Sequence, residues 1–226
     1  MTLPARWRRA ACCALLLLGG ACLLRGSWIF AKAALAQLLL RQAWAATRAG
    51  DARARPWPWA DTWPVARLRS PERRVDLIVL EGATGSSTAF GPGHLIGTAA
   101  PGTPGNVALA AHRDTHFRFL RDLTPGEPLW LELPDGRSER YTVQRTSVVD
   151  ERDTRLLQAP GEWLTLITCY PFDAPLPGGP LRYVVQARPA LSPSGTPPRA
   201  AENTPCRSGR RGTAVSPAGR PSRSRC

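Results

Sequence analysis

The chain has 226 residues, with 30 lysines and arginines against 17 acids and a formal net charge of +13. Nine of the bases fall in residues 1–55 and seven in 190–226, which leaves fourteen bases against fifteen acids for residues 56–189. The length fits one medium domain with appendages, and the near-neutral middle argues against a folded nucleic-acid-binding face, which would concentrate bases on the domain itself.

In chain order, residues 1–9 form a basic segment, expected to be cytoplasmic, in which Arg6, Arg8 and Arg9 precede the apolar run Ala10–Leu24. Positive residues stay on the cytoplasmic side of a membrane helix, so residues 10–30 are read as a signal-anchor. Fifteen residues span only about 22 Å. Extending the run through Phe30 reaches about 30 Å, a bilayer's hydrocarbon thickness, with Arg25 snorkelling near the outer face. A cleaved signal peptide, with Ala31-Lys32-Ala33 as its small-x-small site, is the alternative. Residues 31–64 are a helical and then Pro/Trp-rich linker. The stretch 28–48 is helical but too polar for a second span. Prolines 56, 58 and 64 then end helix, and Trp57, Trp59 and Trp63 suit either a lipid interface or a cap on the folded domain.

From about Val65 the pattern turns to β. Strands are expected at Val75–Leu80, Asn106–Ala111, Pro128–Leu133, Arg140–Val149, Glu162–Cys169 and Leu181–Gln186. Asp135-Gly136 is a hairpin signal joining the third to the fourth, and Asp153–Gln158 fits a single helical turn. Short strands with Gly/Pro turns and little helix point to a closed barrel or a sandwich. The domain is placed at 65–189. Residues 190–226, rich in Pro, Ser, Gly and Arg, lack the apolar content to build a core and are expected to be a disordered tail.

The cysteines divide along the same boundaries. Cys12, Cys13 and Cys22 lie in the apolar run, Cys206 and Cys226 in the tail, and only Cys169 in the domain. A disulfide framework needs partners inside the domain; a lone domain cysteine is either a small buried hydrophobe or a nucleophile. Cys169 ends one expected strand, Arg182 starts the next and His112 follows the NVALAA strand, so all three can reach a rim. A thiolate needs a proton-transfer partner, and the oxyanion it creates needs a cation or backbone amide. These placements permit a Cys–His–Arg site without establishing one.

Three runs carry a resemblance: PGNVALAAHRDTHFRFL, TLITCYPF and PLRYVV, flanked by WPVARL, VLEGATGS and AFGPGH. Together, over about residues 28–189, the chain resembles the sortases, and among them the Gram-negative class. Ala111 stands before His112 where many sortases have Gly. The resemblance implies a mostly β fold: a closed barrel of about eight strands with short helices, preceded by the N-terminal membrane helix. It implies Cys169 as nucleophile, His112 as proton-transfer partner and Arg182 as oxyanion-stabilising cation; no His/Cys/Asp cluster has metal-ligand spacing, so neither cofactor nor metal is expected. The expected reaction cleaves a C-terminal sorting signal of a secreted protein through a Cys thioester and passes the acyl group to an amine acceptor. The implied substrate is a large secreted protein with a von Willebrand A-type domain. The implied location is the inner membrane, single-pass, with the catalytic domain in the periplasm.

Other residues are weighed beside these. His94 and His116 read as structural. Asp114, two residues beyond His112, is a candidate orienting carboxylate; Arg113 reads as a solvated or salt-bridged side chain. Asp150, Glu151 and Asp153 read as a solvated acidic loop. The rival functions are a hydrolytic cysteine peptidase using the same three residues and an inactive membrane-anchored β-barrel that binds a protein partner.

Overall fold

The computed structural model describes residues 4–176 and 178–190. One helix, α1, runs without interruption from Ala5 to Arg48. No proline lies between Pro4 and Pro56, so nothing separates the expected anchor from the helical stretch after it; they are one element. The part Cys12–Arg48 is long and apolar enough to cross a membrane. The helix ends where Gly50 adopts φ +108, a conformation that suits a residue without Cβ. The Asp51 N–H then reaches back to the Ala46 carbonyl at 3.1 Å.

The barrel follows: β1 (Pro64–Ser70), β2 (Val75–Glu81), the one-turn helix α2 (Gly85–Thr88), β3 (Gly93–His94), β4 (Asn106–Ala110), β5 (Pro128–Glu132), β6 (Ser138–Asp150), β7 (Trp163–Tyr170) and β8 (Leu181–Pro189). The eight strands close in the order β1-β2-β3-β4-β7-β8-β6-β5, with β5 pairing back to β1. The six expected strands are all present, with ends shifted by up to three residues. β1, in the region read as β without a strand of its own, and the short β3, which no alternation announces, complete the ring. Gly93 is required there because a Cβ would run into the Gly82 carbonyl. The Asp-Gly turn forms as expected: Gly136 sits at φ +87, and the Asp135 carboxylate accepts from the Arg137 backbone N–H at 2.9 Å.

Alternation explains the interior. In β1, Ala66 and Leu68 point inward; in β5, Leu129 and Leu131 do so; Leu109, Leu164, Leu166 and Val185 meet them, and Phe117 and Leu120 join the same core. Removing one such leucine to Ala costs about 2–5 kcal/mol.

Two pairings fix the site. Strands β4 and β7 run parallel, with Ala110 opposite Ile167. Strands β7 and β8 run antiparallel, with Cys169 opposite Arg182. Polar side chains lock the first pair: buried Thr165 donates to Asn106 Oδ1 at 2.7 Å, and Thr168 donates to the Ala111 carbonyl at 2.7 Å.

Helix α1 docks on this barrel. Ala36, Leu40, Ala43, Trp44 and Thr47 form a buried stripe at helical spacing. Gln37 Nε2 donates to the Phe90 carbonyl at 3.0 Å, and Arg48 pairs with Glu132 at 3.4 Å. Of the three linker tryptophans, Trp57 meets the Phe90 ring edge-on at 4.9 Å and Trp63 lies under the Arg53 guanidinium at 5.0 Å. Both cap the domain, whereas Trp59 stays 83% exposed. At the far end, the Ala190 N–H still bonds the Arg140 carbonyl at 2.8 Å; the rest of the expected tail, with Cys206 and Cys226, lies outside the described residues.

Candidate active site

The topology assembles the three sequence candidates at one rim. Parallel strands present their C-terminal ends together, so the ends of β4 and β7 share an edge of the barrel. The Ala111 N–H bonds the Ile167 carbonyl at 3.2 Å and Thr168 holds the Ala111 carbonyl, which carries the register forward and brings His112 level with Cys169. An antiparallel partner begins where its neighbour ends, so the start of β8 lies beside the end of β7. Cys169 is half-buried and His112 exposed; both open to solvent at this rim.

Arg182 is held by three acceptors. Its Nη1 donates to the Gly179 carbonyl at 2.6 Å and to the Leu181 carbonyl at 3.0 Å, and its Nη2 donates to the Glu151 carboxylate. A guanidinium has five N–H groups. Among the described residues this leaves Nε–H and one Nη2–H for another acceptor. Glu151 comes from the end of β6, where Val149 and Asp150 pair with Arg182 and Leu181. Its N–H bonds the Pro180 carbonyl at 2.6 Å.

His112 receives a contact from α2, with Thr88 Oγ1 3.5 Å from its Nε2, the outer limit for a hydrogen bond. His116 is bonded to the backbone of the next residue, Ala89. Burial holds the His116 imidazole below its ordinary pKa of 6.5, the neighbouring His112 adds to this, and the Ala89 bond and Asp114 oppose it. The segment 84–91 therefore touches both histidines, and Gln37 and Trp57 hold it at Phe90.

The remaining candidates separate. His94 is buried, with Nδ1 3.2 Å from Glu81 Oε2 and Nε2 3.0 Å from the Ala99 carbonyl; both ring nitrogens are committed to structure. Asp114 acts on His116, and among the described residues no hydrogen bond links it to His112. The expectation for Arg113 is overturned. The side chain is 7% exposed and donates through Nη2 to the carbonyls of Ala174 and Leu176. It lies inward because burial still alternates past the end of β4, with Ala111 and Arg113 buried and His112 and Asp114 exposed, and the loop after β7 covers it. The acidic loop is not free either: Asp150 accepts from the Arg152 N–H, Asp153 pairs with Arg155 at 2.7 Å, and Glu151 takes Arg182. Sequence reasoning missed Thr88, Glu151 and the clamp of Arg113 on the 171–180 loop. A signal existed only for Glu151, an acid just past the strand that pairs with β8.

Comparison with known proteins agrees with this architecture. The Sortase domain family matches residues 68–190. Sortase D of Bacillus subtilis (strain 168) is 34% identical over 123 residues, covering 54% of this chain and 61% of that protein. Sortase SrtE1 of Streptomyces coelicolor is 32% identical over 79 residues, covering 30% of this chain and 22% of that one. The chain thus spans about three fifths of the first relative's length and about a fifth of the second's. Among solved structures, sortase A from Corynebacterium diphtheriae superimposes with a TM-score of 0.53 at 27% identity, over 63% of this chain and 66% of that one. Sortase C-1 from Actinomyces oris gives 0.52 at 28% identity, over 57% and 75%.

Proposed function

This chain belongs to the sortase family, and on that premise we propose that it is a membrane-anchored cysteine transpeptidase acting through Cys169, His112 and Arg182. The observation that carries the proposal is the pairing of Cys169 with Arg182 across β7 and β8, with His112 brought to the same rim by the parallel β4–β7 pair. The Cys169 thiolate attacks the carbonyl carbon of a sorting-signal peptide bond. The tetrahedral oxyanion accepts from the free N–H groups of Arg182. As the C–N bond breaks, His112 gives its proton to the departing amine, leaving a thioester on Cys169. An incoming amine attacks the thioester, His112 takes its proton, and the thiolate leaves.

Placement with the Gram-negative class rests on the runs around His112, Cys169 and Arg182. A secreted substrate with a C-terminal sorting signal and a von Willebrand A-type domain follows from that class. A signal-anchor in the inner membrane, with the barrel in the periplasm, is supported by the length and apolarity of α1 and by Arg6, Arg8 and Arg9 in its first turns.

The test is a peptidyl vinyl-sulfone added to the full chain in detergent, followed by intact-mass spectrometry. We expect one adduct on Cys169, none in Cys169→Ala and much slower labelling in His112→Ala and Arg182→Ala. Equal labelling of all Cys169-containing proteins would leave a sortase fold without the chemistry, the inactive-binder reading. With a peptide substrate, a product mass that changes when hydroxylamine is added marks transfer; an unchanged hydrolysed product marks the peptidase.

A further inference from the structure

The apolar helix and the barrel are not joined by a flexible linker. Phe30 closes the expected span, and Ala36, six residues on, is already buried against the domain. Because α1 is one continuous helix, distance along it measures height above the bilayer. At 1.5 Å per residue, the expected span of residues 10–30 fills about 31 Å, close to the hydrocarbon thickness. Leu35 then stands about 7 Å and Leu39 about 14 Å beyond Phe30, and Arg48 about 27 Å. The headgroup and interfacial layer occupies roughly the first 5–10 Å.

At that height the structure has an open groove of about 580 Å³ between α1 and the Trp57–Thr62 segment. Leu35 and Leu39 form one wall, Trp57 and Trp59 the other, with Phe90 lining it too and Lys32 on the side nearest the span. Trp59 is 83% exposed, Leu35 54% and Leu38 51%, a concentration of apolar surface that a barrel standing clear in water would have to solvate. Asp61 and Thr62 also line the groove, but tryptophan and lysine around leucine are the side chains that partition to a lipid interface: an apolar body in the acyl boundary and a cation at the phosphates.

We propose that this groove is a lipid-docking surface, which seats the barrel on the membrane with Trp59 and Leu35 in the interfacial layer. The inference rests on the anchor reading above. The helix length selects lipid over a protein occupant, because the end of the groove at Lys32 and Leu35 lies within the headgroup and interfacial layer. Its consequence reaches the candidate active site. Phe90 lines the groove, and the same segment contacts His112 through Thr88 and His116 through Ala89. The rim that carries Cys169 is therefore held at a fixed attitude to the bilayer surface, and a substrate still tethered to that membrane meets it without a search through the bulk.

The full chain, reconstituted in phosphatidylethanolamine–phosphatidylglycerol vesicles, tests this. It would carry the photo-crosslinking amino acid p-benzoylphenylalanine in turn at Phe30, Leu35, Trp59 and Asp135. Asp135 lies beside Arg48, at the far end of the docked helix. After irradiation, lipid adducts at Trp59 and Leu35 comparable with those at Phe30, and none at Asp135, support the proposal. Adducts at Phe30 but not at Trp59 and Leu35 overturn the docking while leaving the anchor intact. Protein–protein adducts at Trp59 in place of lipid overturn it in favour of a second copy. Absence of lipid adducts at Phe30 overturns the anchor reading, and the docking with it.

Discussion

Cys169 and Arg182 are direct partners across the antiparallel β7–β8 pair, so the Cα atoms of the candidate nucleophile and the candidate oxyanion donor are held about 4.5–5.5 Å apart by the sheet itself. Their thirteen-residue separation in sequence is the loop between two ladder positions. A loop can lengthen or shorten without moving either residue.

The first prediction concerns that cation. Arg182→Lys keeps a charge but loses the planar fork that bonds Gly179, Leu181 and Glu151 together while leaving N–H groups over. We expect kcat to fall by about 10²–10³-fold, the cost of losing an oxyanion donor, with little change in melting temperature. Steady-state peptide cleavage beside a thermal melt checks this; unchanged kcat would remove Arg182 from the chemistry.

Glu151 is predicted to position Arg182 more than to stabilise the fold. The pair is partly exposed, and such pairs contribute about 0–1 kcal/mol. Glu151→Gln should leave denaturant unfolding almost unchanged and lower kcat/KM severalfold. In an Arg182→Ala background the same change should do nothing further, because neighbours that act together are not additive. Equal losses in both backgrounds would show that Glu151 acts independently.

Arg113 should behave in the opposite sense to an ordinary buried charge. Its Nη1 is buried with no partner among the described residues, and its gain is two carbonyl bonds in the loop after Cys169. Replacing it with Met removes the desolvation cost along with those bonds, so stability should change by no more than about 1–2 kcal/mol in either direction. Amide exchange in residues 172–180 should rise sharply and KM should increase. Unaltered exchange there would mean that the loop is held by other contacts.

Glu127 and His116 contribute to the pH dependence of stability in two separate windows, and Asp135 and Asp153, lowered by their arginine partners, share the acid one. The Arg73 guanidinium, with Thr124, holds the Glu127 carboxyl down to about 2 from an ordinary 4.5. Stability from this pair is whole above pH 4.5 and is lost as pH falls toward 2, because the unfolded chain takes up the proton first. Burial lowers His116, so its neutral form contributes fully above pH 6.5 and its share is lost as pH falls through the folded value. Urea midpoints measured against pH should slope in both windows. Glu127→Gln should reduce the slope only in the lower window, where Asp135 and Asp153 still titrate, and His116→Gln only in the upper one.

The sequence by itself determined what depends on short-range pattern. Short apolar runs between Gly/Pro turns gave the strands, Asp135-Gly136 the hairpin, prolines 56, 58 and 64 the end of helix, and the isolated Cys169 within the domain a nucleophile to look for. Those features depend on residues a few positions apart, where backbone geometry is local. The tertiary structure alone decided relations between distant segments. Arg113 is buried because the 171–180 loop crosses it, and Glu151 meets Arg182 because β6 and β8 share a ladder. Thr88 reaches His112 from a turn of helix with no periodic signature. The tryptophans capped the domain at positions 57 and 63 and left Trp59 exposed, a choice that composition could not make. Each of these depends on register across the closed barrel, and register is fixed only when all eight strands pair and the buried faces must match at once.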